Sequence, residues 1–130
     1  MKHLILLLLS TILLGISCTK DKTDSPFIGT FKGSYKEKTA VSSITLDDVS
    51  ATVVDNSNNK LNVKLNLDVA GTTLNATVLT DTEIFFPPQD YFGEEVSGSG
   101  VLSDSARILT IEMELTSGTP KTFTFTGTRQ

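Results

Sequence analysis

The stretch LNVKLNLDV at residues 61–69 decides the fold class. Five apolar residues alternate there with four polar ones, a strict period of two. Because successive side chains of a β-strand point to opposite faces, this pattern predicts a strand with one buried face and one wet face. The same alternation returns at residues 109–115 (LTIEMEL) and 123–127 (FTFTG), so the chain builds several such strands.

Weaker alternation predicts further strands around residues 31–35, 44–53, 74–78 and 96–102. Short runs rich in Gly, Asn, Asp and Ser separate them, as expected for hairpin turns. The apolar phase flips between Leu46 and Val49, which predicts a β-bulge or a bend within one long strand. About eight short antiparallel strands therefore predict an up-and-down (meander) β-barrel or a sandwich.

Two features favour the barrel over the sandwich. Most links between consecutive strands are short, and four glycines lie on the predicted inner face, namely Gly33, Gly98, Gly100 and Gly127. Small inward residues let strands bend sharply where a barrel closes. We therefore predict an all-β barrel domain over residues 27–130.

The first 17 residues are predicted to be a signal peptide. Lys2 precedes an apolar run, Leu4–Leu14, and eleven residues at about 1.5 Å each are too short for a bilayer core of about 30 Å. Ser17 then precedes Cys18, the single cysteine of the chain. This junction resembles the cleavage and lipidation site of bacterial lipoproteins, in particular those of the Bacteroidota. The alternative is an incidental thiol at the end of an ordinary signal peptide.

The resemblance implies that Cys18 carries the lipid. One acyl chain anchors a protein weakly, whereas two or more anchor it stably. Polar residues 18–26 (CTKDKTDSP) are predicted to form a flexible tether between lipid and barrel. We expect a chain anchored at the cell outer membrane, with either a periplasmic or a surface-facing domain. The tripeptide 104–106 (DSA) also resembles the O-glycosylation motif of exported Bacteroidota proteins, with Ser105 as the acceptor.

A second resemblance concerns the barrel itself. The opening at residues 27–33 (FIGTFKG) resembles the first strand of small calycin/lipocalin-like domains in Bacteroidota lipoproteins. Residues 98–102, 109–111 and 123–128 are similar to their last three strands. The resemblance implies a calycin/lipocalin-like barrel. An eight-stranded barrel is either filled by its own side chains or holds one small ligand, and the sequence is compatible with both interiors.

Composition excludes several kinds of chemistry. The net charge of −4 argues against nucleic acid as a partner. The only histidine is His3, inside the predicted signal, so Ser-His-Asp and Cys-His nucleophiles and histidine zinc sites are excluded from the mature chain. Glu112 and Glu114 share a predicted wet face, and the neighbours in each of the pairs 47–48 and 94–95 face opposite ways. We expect no catalysis, no cofactor and no metal.

The stretch EIFFPPQDYFG at residues 83–93 is unlike the rest of the chain. It holds Phe85, Phe86, Tyr91 and Phe92, four of the nine aromatic residues. Two consecutive prolines argue against a central strand, so we predict a loop. Its aromatic side chains would grip a ligand, a sugar ring or a partner protein, or would fold as a lid over the open barrel end.

These observations predict a lipid-anchored, non-catalytic cell-envelope barrel that binds a small apolar ligand, a glycan or an envelope protein. The alternative is a structural or assembly subunit of an outer-membrane complex, with a packed barrel core and no ligand cavity. The volume of the barrel interior distinguishes the two.

Overall fold

The computed structural model describes residues 24–67 and 72–130. The predicted signal peptide, the lipid attachment site Cys18 and the first part of the tether lie outside these residues. In the described part of the chain, no helix is long and apolar enough to cross a membrane.

The described chain forms a single antiparallel sheet that closes on itself. Each strand pairs with the next one along the chain, and the last pairs with the first, so the sheet is a closed barrel. The predicted eight-stranded meander barrel is therefore confirmed. The strands are β1 Gly29–Thr39, β2 Ser43–Asp55, β3 Lys60–Asn66, β4 Thr73–Val78, β5 Glu83–Tyr91, β6 Glu94–Ser103, β7 Ile108–Leu115 and β8 Lys121–Arg129.

The period-two pattern sorts side chains between core and solvent. In β3, Leu61, Val63 and Leu65 are buried, while Lys64 and Asn66 are exposed. Every strand contributes apolar side chains to the same core, and no polar or charged residue is buried among the described residues. The barrel is thus held mainly by the burial of apolar surface.

The predicted bulge lies in β2. Leu46 pairs with Tyr35 and Val49 pairs with Gly33, so β2 has one extra residue between these two positions. Asp48, one of the two residues at the bulge, has a left-handed backbone conformation with a φ of 60°. The bulge shifts the alternation of side chains by one residue, so Leu46 and Val49 both face inward. Both halves of β2 therefore contribute side chains to the same core.

Glycines allow the strands to approach closely on the inner face. Gly33 of β1 pairs with Gly127 of β8. A Cβ atom added to Gly33 would lie 1.9 Å from the carbonyl oxygen of Thr126, and one added to Gly98 would lie 2.0 Å from that of Glu112. Since these contacts are with backbone, no side-chain movement relieves them, and both positions require glycine.

The prediction of a loop over residues 83–93 is wrong, because residues 83–91 form β5. The two prolines are accommodated by a register shift: Phe86 pairs with Gly98 and Gln89 pairs with Val96, so β5 bulges by one residue at 87–88. On its other side, β5 pairs with β4 only at Phe85 and Ile84. The prolines therefore end the β4–β5 ladder without ending the strand.

A side chain continues the β4–β5 contact where the ladder stops. The backbone N–H of Asn75 donates to Oε1 of Gln89 at 2.8 Å, and Nε2 of Gln89 donates to the carbonyl oxygen of Asn75 at 2.8 Å. Nε2 also donates to the carbonyl oxygen of Pro87 at 3.1 Å. The amide of Gln89 thus replaces two bonds of a strand ladder.

One end of the barrel is closed by the segment that enters β1. Phe27 is completely buried there. The guanidinium of Arg129 lies 4.6 Å from the Phe31 ring centroid and donates to the carbonyl oxygens of Pro26, Ile28 and Ala106. The last residues of the predicted tether are therefore fastened to the barrel wall.

We expect Gln89→Glu to destabilise the barrel by about 1–3 kcal/mol, because a carboxylate cannot donate to the Asn75 carbonyl. Urea unfolding measures this change. Asn66→Asp, on the exposed face of β3, is the matched control and should shift the midpoint little. Equal midpoints for the two variants would show that the Gln89 amide contributes nothing to the wall.

We expect Gly33→Ala and Gly98→Ala each to lower the free energy of unfolding by about 3 kcal/mol, near the upper end for overpacking, because the added methyl meets backbone. Ser99→Ala, at the neighbouring exposed position of β6, is the control. Thermal and urea unfolding report the loss. A change below that of Ser99→Ala would contradict the close approach of the strands.

Candidate functional site

The end of the barrel opposite Phe27 is open. It contains a pocket of about 590 Å³, which we call the mouth pocket. Seven apolar or aromatic side chains and three charged ones line it: Tyr35, Ile44, Leu46, Leu67, Tyr91, Phe92, Phe123, Glu37, Glu94 and Lys121. The mouth pocket is thus an apolar cup with charges among its lining groups.

Three aromatic rings form the floor of the mouth pocket. Tyr35, Tyr91 and Phe123 are buried, although they line the pocket. The Tyr91 and Phe123 rings meet edge to face at 5.2 Å between centroids, and the Tyr35 and Phe123 rings stack at 6.4 Å. Phe92 packs against Tyr91 at 4.7 Å and is half exposed beside the floor. These rings separate the pocket from the filled core beneath it.

The two tyrosine hydroxyls bond each other. The Tyr91 hydroxyl donates to the Tyr35 hydroxyl at 3.2 Å. Burial raises the pKa of Tyr35 strongly, and the hydrogen bond and charge of Tyr91 raise it further. Burial also raises the pKa of Tyr91, against the opposing effect of its bond to Tyr35. Both phenols therefore stay neutral in the folded barrel at pH values at which an exposed tyrosine begins to ionise.

A charged triad stands among the lining residues. Nζ of Lys121 lies 3.3 Å from Oε1 of Glu37 and 3.1 Å from Oε2 of Glu94. The hydrogen bond to Glu94 is the largest cause of a raised pKa at Lys121, and Glu37 adds to it. Lys121 therefore remains a cation at neutral pH, and the triad carries a net charge of −1.

Glu37 and Lys121 were not among the predicted site residues. Their positions follow from the period of two: Glu37 lies two residues after Tyr35, and Lys121 lies two residues before Phe123. Charged residues in the inward phase at strand ends are the signal that would have found them. Glu94 was considered only as the neighbour of Glu95, and the two do face opposite ways.

The four predicted aromatic residues do not form one surface. Tyr91 and Phe92 line the mouth pocket, but Phe86 is buried in the core and Phe85 is exposed on the outer wall. The separation follows from β5 being a strand, since its neighbouring side chains point to opposite faces. The proposed ligand or partner loop is therefore corrected to two mouth residues.

The remaining predicted positions lie elsewhere. Ser105 is exposed in the turn between β6 and β7, near the closed end, and its glycosylation stays a prediction. Glu112 and Glu114 are exposed on β7, as predicted. Within the two described ranges, no group of three or more His, Cys, Asp or Glu residues is placed to hold a metal ion.

Comparison of the chain with protein-family models and with curated proteins found no match. The resemblance to calycin/lipocalin-like lipoproteins stays a prediction, and the barrel fold rests on the strand pairing itself.

The tyrosine pair gives a test of the floor, because Tyr35 and Tyr91 are the only tyrosines of the chain. A folded-state pKa above the unfolded value gives stability that is complete below pH 10 and declines as the pH rises past 10. At pH 10.5 we expect less tyrosinate absorbance at 295 nm from the folded chain than from the chain in urea, where both tyrosines titrate near pH 10. Two tyrosines titrating near 10 in the folded chain would contradict the buried pair.

Proposed function

We propose that this chain is a lipid-anchored, non-catalytic barrel of the cell envelope that binds a small apolar ligand in the mouth pocket. A second pocket of about 580 Å³ lies beside the closed end, but seven of its twelve lining residues are polar or charged. The observation that carries the proposal is the apolar and aromatic lining of the mouth pocket. The mouth pocket has a volume of about 590 Å³, within the range of about 300–1,000 Å³ that is usual for ligand sites. Its aromatic floor and aliphatic wall offer apolar surface to one small molecule.

The filled core beneath the floor limits the size of the ligand. Phe31, Ile111 and Phe125 are almost completely buried and occupy the barrel interior between the mouth and the closed end. A ligand would therefore rest on Tyr91 and Phe123 in the mouth and would not enter the barrel axis. An assembly subunit would also have a packed barrel interior. That alternative, however, does not explain the open apolar mouth pocket.

The position of the anchor supports access from water. The described chain begins at Asp24 beside the closed end, and Cys18 is six residues earlier. Six residues span at most about 20 Å, so a lipid on Cys18 would hold the closed end of the barrel within about that distance of the membrane. The mouth would then open away from the membrane, which suits a ligand that arrives from the aqueous side.

The non-catalytic part of the proposal rests on residue types. After Cys18 the chain has neither histidine nor cysteine. The charged groups of the mouth are bonded to one another, with Lys121 held by both Glu37 and Glu94. Such a triad orients a ligand more readily than it transfers a proton to one.

Intrinsic fluorescence tests the proposal. The chain has no tryptophan, and both tyrosines lie in the floor, so tyrosine emission reports the mouth pocket directly. We expect alcohols from hexanol to decanol to change the emission of the full chain in phosphatidylcholine vesicles. The change should saturate, with tighter binding for each added CH₂ until the cup is full.

Two variants of β2 assign the binding to the mouth. Ile44 is 56% exposed in the mouth pocket, and Val54 is 48% exposed outside it. We expect Ile44→Asn to weaken alcohol binding several-fold and Val54→Asn to leave it unchanged. Equal effects of the two variants, or no saturable change with any alcohol, would reject the proposed function and favour the assembly subunit.

A further inference from the structure

We infer that the mouth pocket selects apolar molecules that carry an amine, and discriminates against fatty acids of the same length. This inference rests on the proposed function and names its ligand class. It is carried by the charges that line the apolar cup and by the way those charges are already paired.

The three charged groups face into the barrel from different strands. Glu37 comes from the end of β1, Glu94 from the start of β6 and Lys121 from the start of β8. The antiparallel pairing of β1 with β8 places Glu37 opposite Phe123. The charges therefore stand directly beside the aromatic floor, within reach of a polar group whose apolar part packs on the rings.

Lys121 is poorly available to an anionic ligand. An ammonium has three donors, and both carboxylate oxygens of Glu94 already accept from it at 3.3 and 3.1 Å. Oε1 of Glu37 forms an ion pair with the same ammonium at 3.3 Å. Its side chain is 23% exposed, and Nζ lies 5.7 Å from the centroid of the Phe123 ring. A fatty-acid carboxylate that approached Lys121 would meet two carboxylates of like charge at the same place.

The carboxylates are the more accessible partners. The Glu37 side chain is 30% exposed and that of Glu94 is 42% exposed. Each carboxylate has about four acceptor positions, more than a single ammonium can occupy. Among the described residues that line the pocket, Lys121 is the only cation, so one negative charge is left without a counterion.

An alkylammonium ion complements this arrangement at both of its ends. Its head group would donate to Glu37 and Glu94 and neutralise the remaining charge. Its chain would cover Leu46, Phe92 and Phe123, which supply the apolar contact. Aromatic faces also attract a cation within about 6 Å, so the floor does not oppose a charged head group.

Three probes with the same tail test the inference, namely hexylamine, hexanol and sodium hexanoate. Binding is followed by tyrosine emission of the full chain in phosphatidylcholine vesicles at pH 7 and low salt. We expect hexylamine to bind more tightly than hexanol, and at least 10-fold more tightly than hexanoate. Salt should reduce the difference, because the triad is partly exposed to solvent.

Charge variants assign the preference to the triad. Glu94→Gln removes the uncompensated charge, and we expect the ratio of hexylamine to hexanoate affinity to fall at least 3-fold. Lys121→Met leaves two carboxylates without a cation and should raise that ratio. Glu112→Gln, on the exposed face of β7, is the control for total charge and should leave the ratio unchanged.

The outcomes separate this inference from the proposed function. If none of the three probes binds, the proposed function fails and the inference fails with it. If hexanol binds but hexanoate binds as tightly as hexylamine, the mouth pocket is an apolar site without head-group selection, and only the inference is overturned. A ratio of hexylamine to hexanoate affinity that stays the same or falls in Lys121→Met would likewise overturn it, because removing the only cation among the described lining residues would then not affect head-group preference.

Discussion

The pairing of β1 with β8 is the contact on which the rest of the structure depends. It runs from Phe31 opposite Arg129 to Thr39 opposite Lys121 and turns a meander into a closed barrel. Closure removes the free strand edges that an open sheet would expose to other chains. It also brings the two ends of the described chain together, which gives the inner side chains of all eight strands one common core. The close approach of β1 to the β8 backbone, which Gly33 permits, follows from this pairing.

The same pairing makes the two barrel ends different. At one end of β8, Arg129 donates to the carbonyl oxygens of Pro26 and Ile28 in the entering segment and helps to seal the barrel over Phe27. At the other end, Lys121 faces inward and bonds two carboxylates beside an open apolar cup. A single strand thus carries a structural cation at the closed end and a cation of the candidate site at the mouth. The asymmetry is what supports a binding role for a barrel whose interior is otherwise filled.

Most of the architecture could be predicted because strand periodicity is a local property. The alternation at residues 61–67, the phase flip before Val49 and the inner glycines each follow from neighbouring residues, and the structure bears them out. Residues 68 and 69, the end of the predicted alternation, lie outside the described residues. The loop predicted at residues 83–93 was wrong for a physical reason. Proline removes a donor from the ladder, but a register shift and the side-chain amide of Gln89 keep β5 in the wall. Gln89 acts on Asn75 of another strand, and no local pattern reports such a bond.

The candidate site, like the fold, depends partly on local sequence pattern and partly on contacts between distant residues. The sequence by itself determined which residues face inward, because the pleat of a strand alternates its side chains. It also determined that histidine contributes nothing to the barrel, because residues 27–130 contain none. Only the tertiary structure decided that Glu37, Glu94 and Lys121 meet beside Tyr91 and Phe123. These residues belong to separate strands, and their distances depend on barrel closure and on the register of each pairing. Both are set by packing and hydrogen bonding of the whole sheet, which no single stretch of sequence contains.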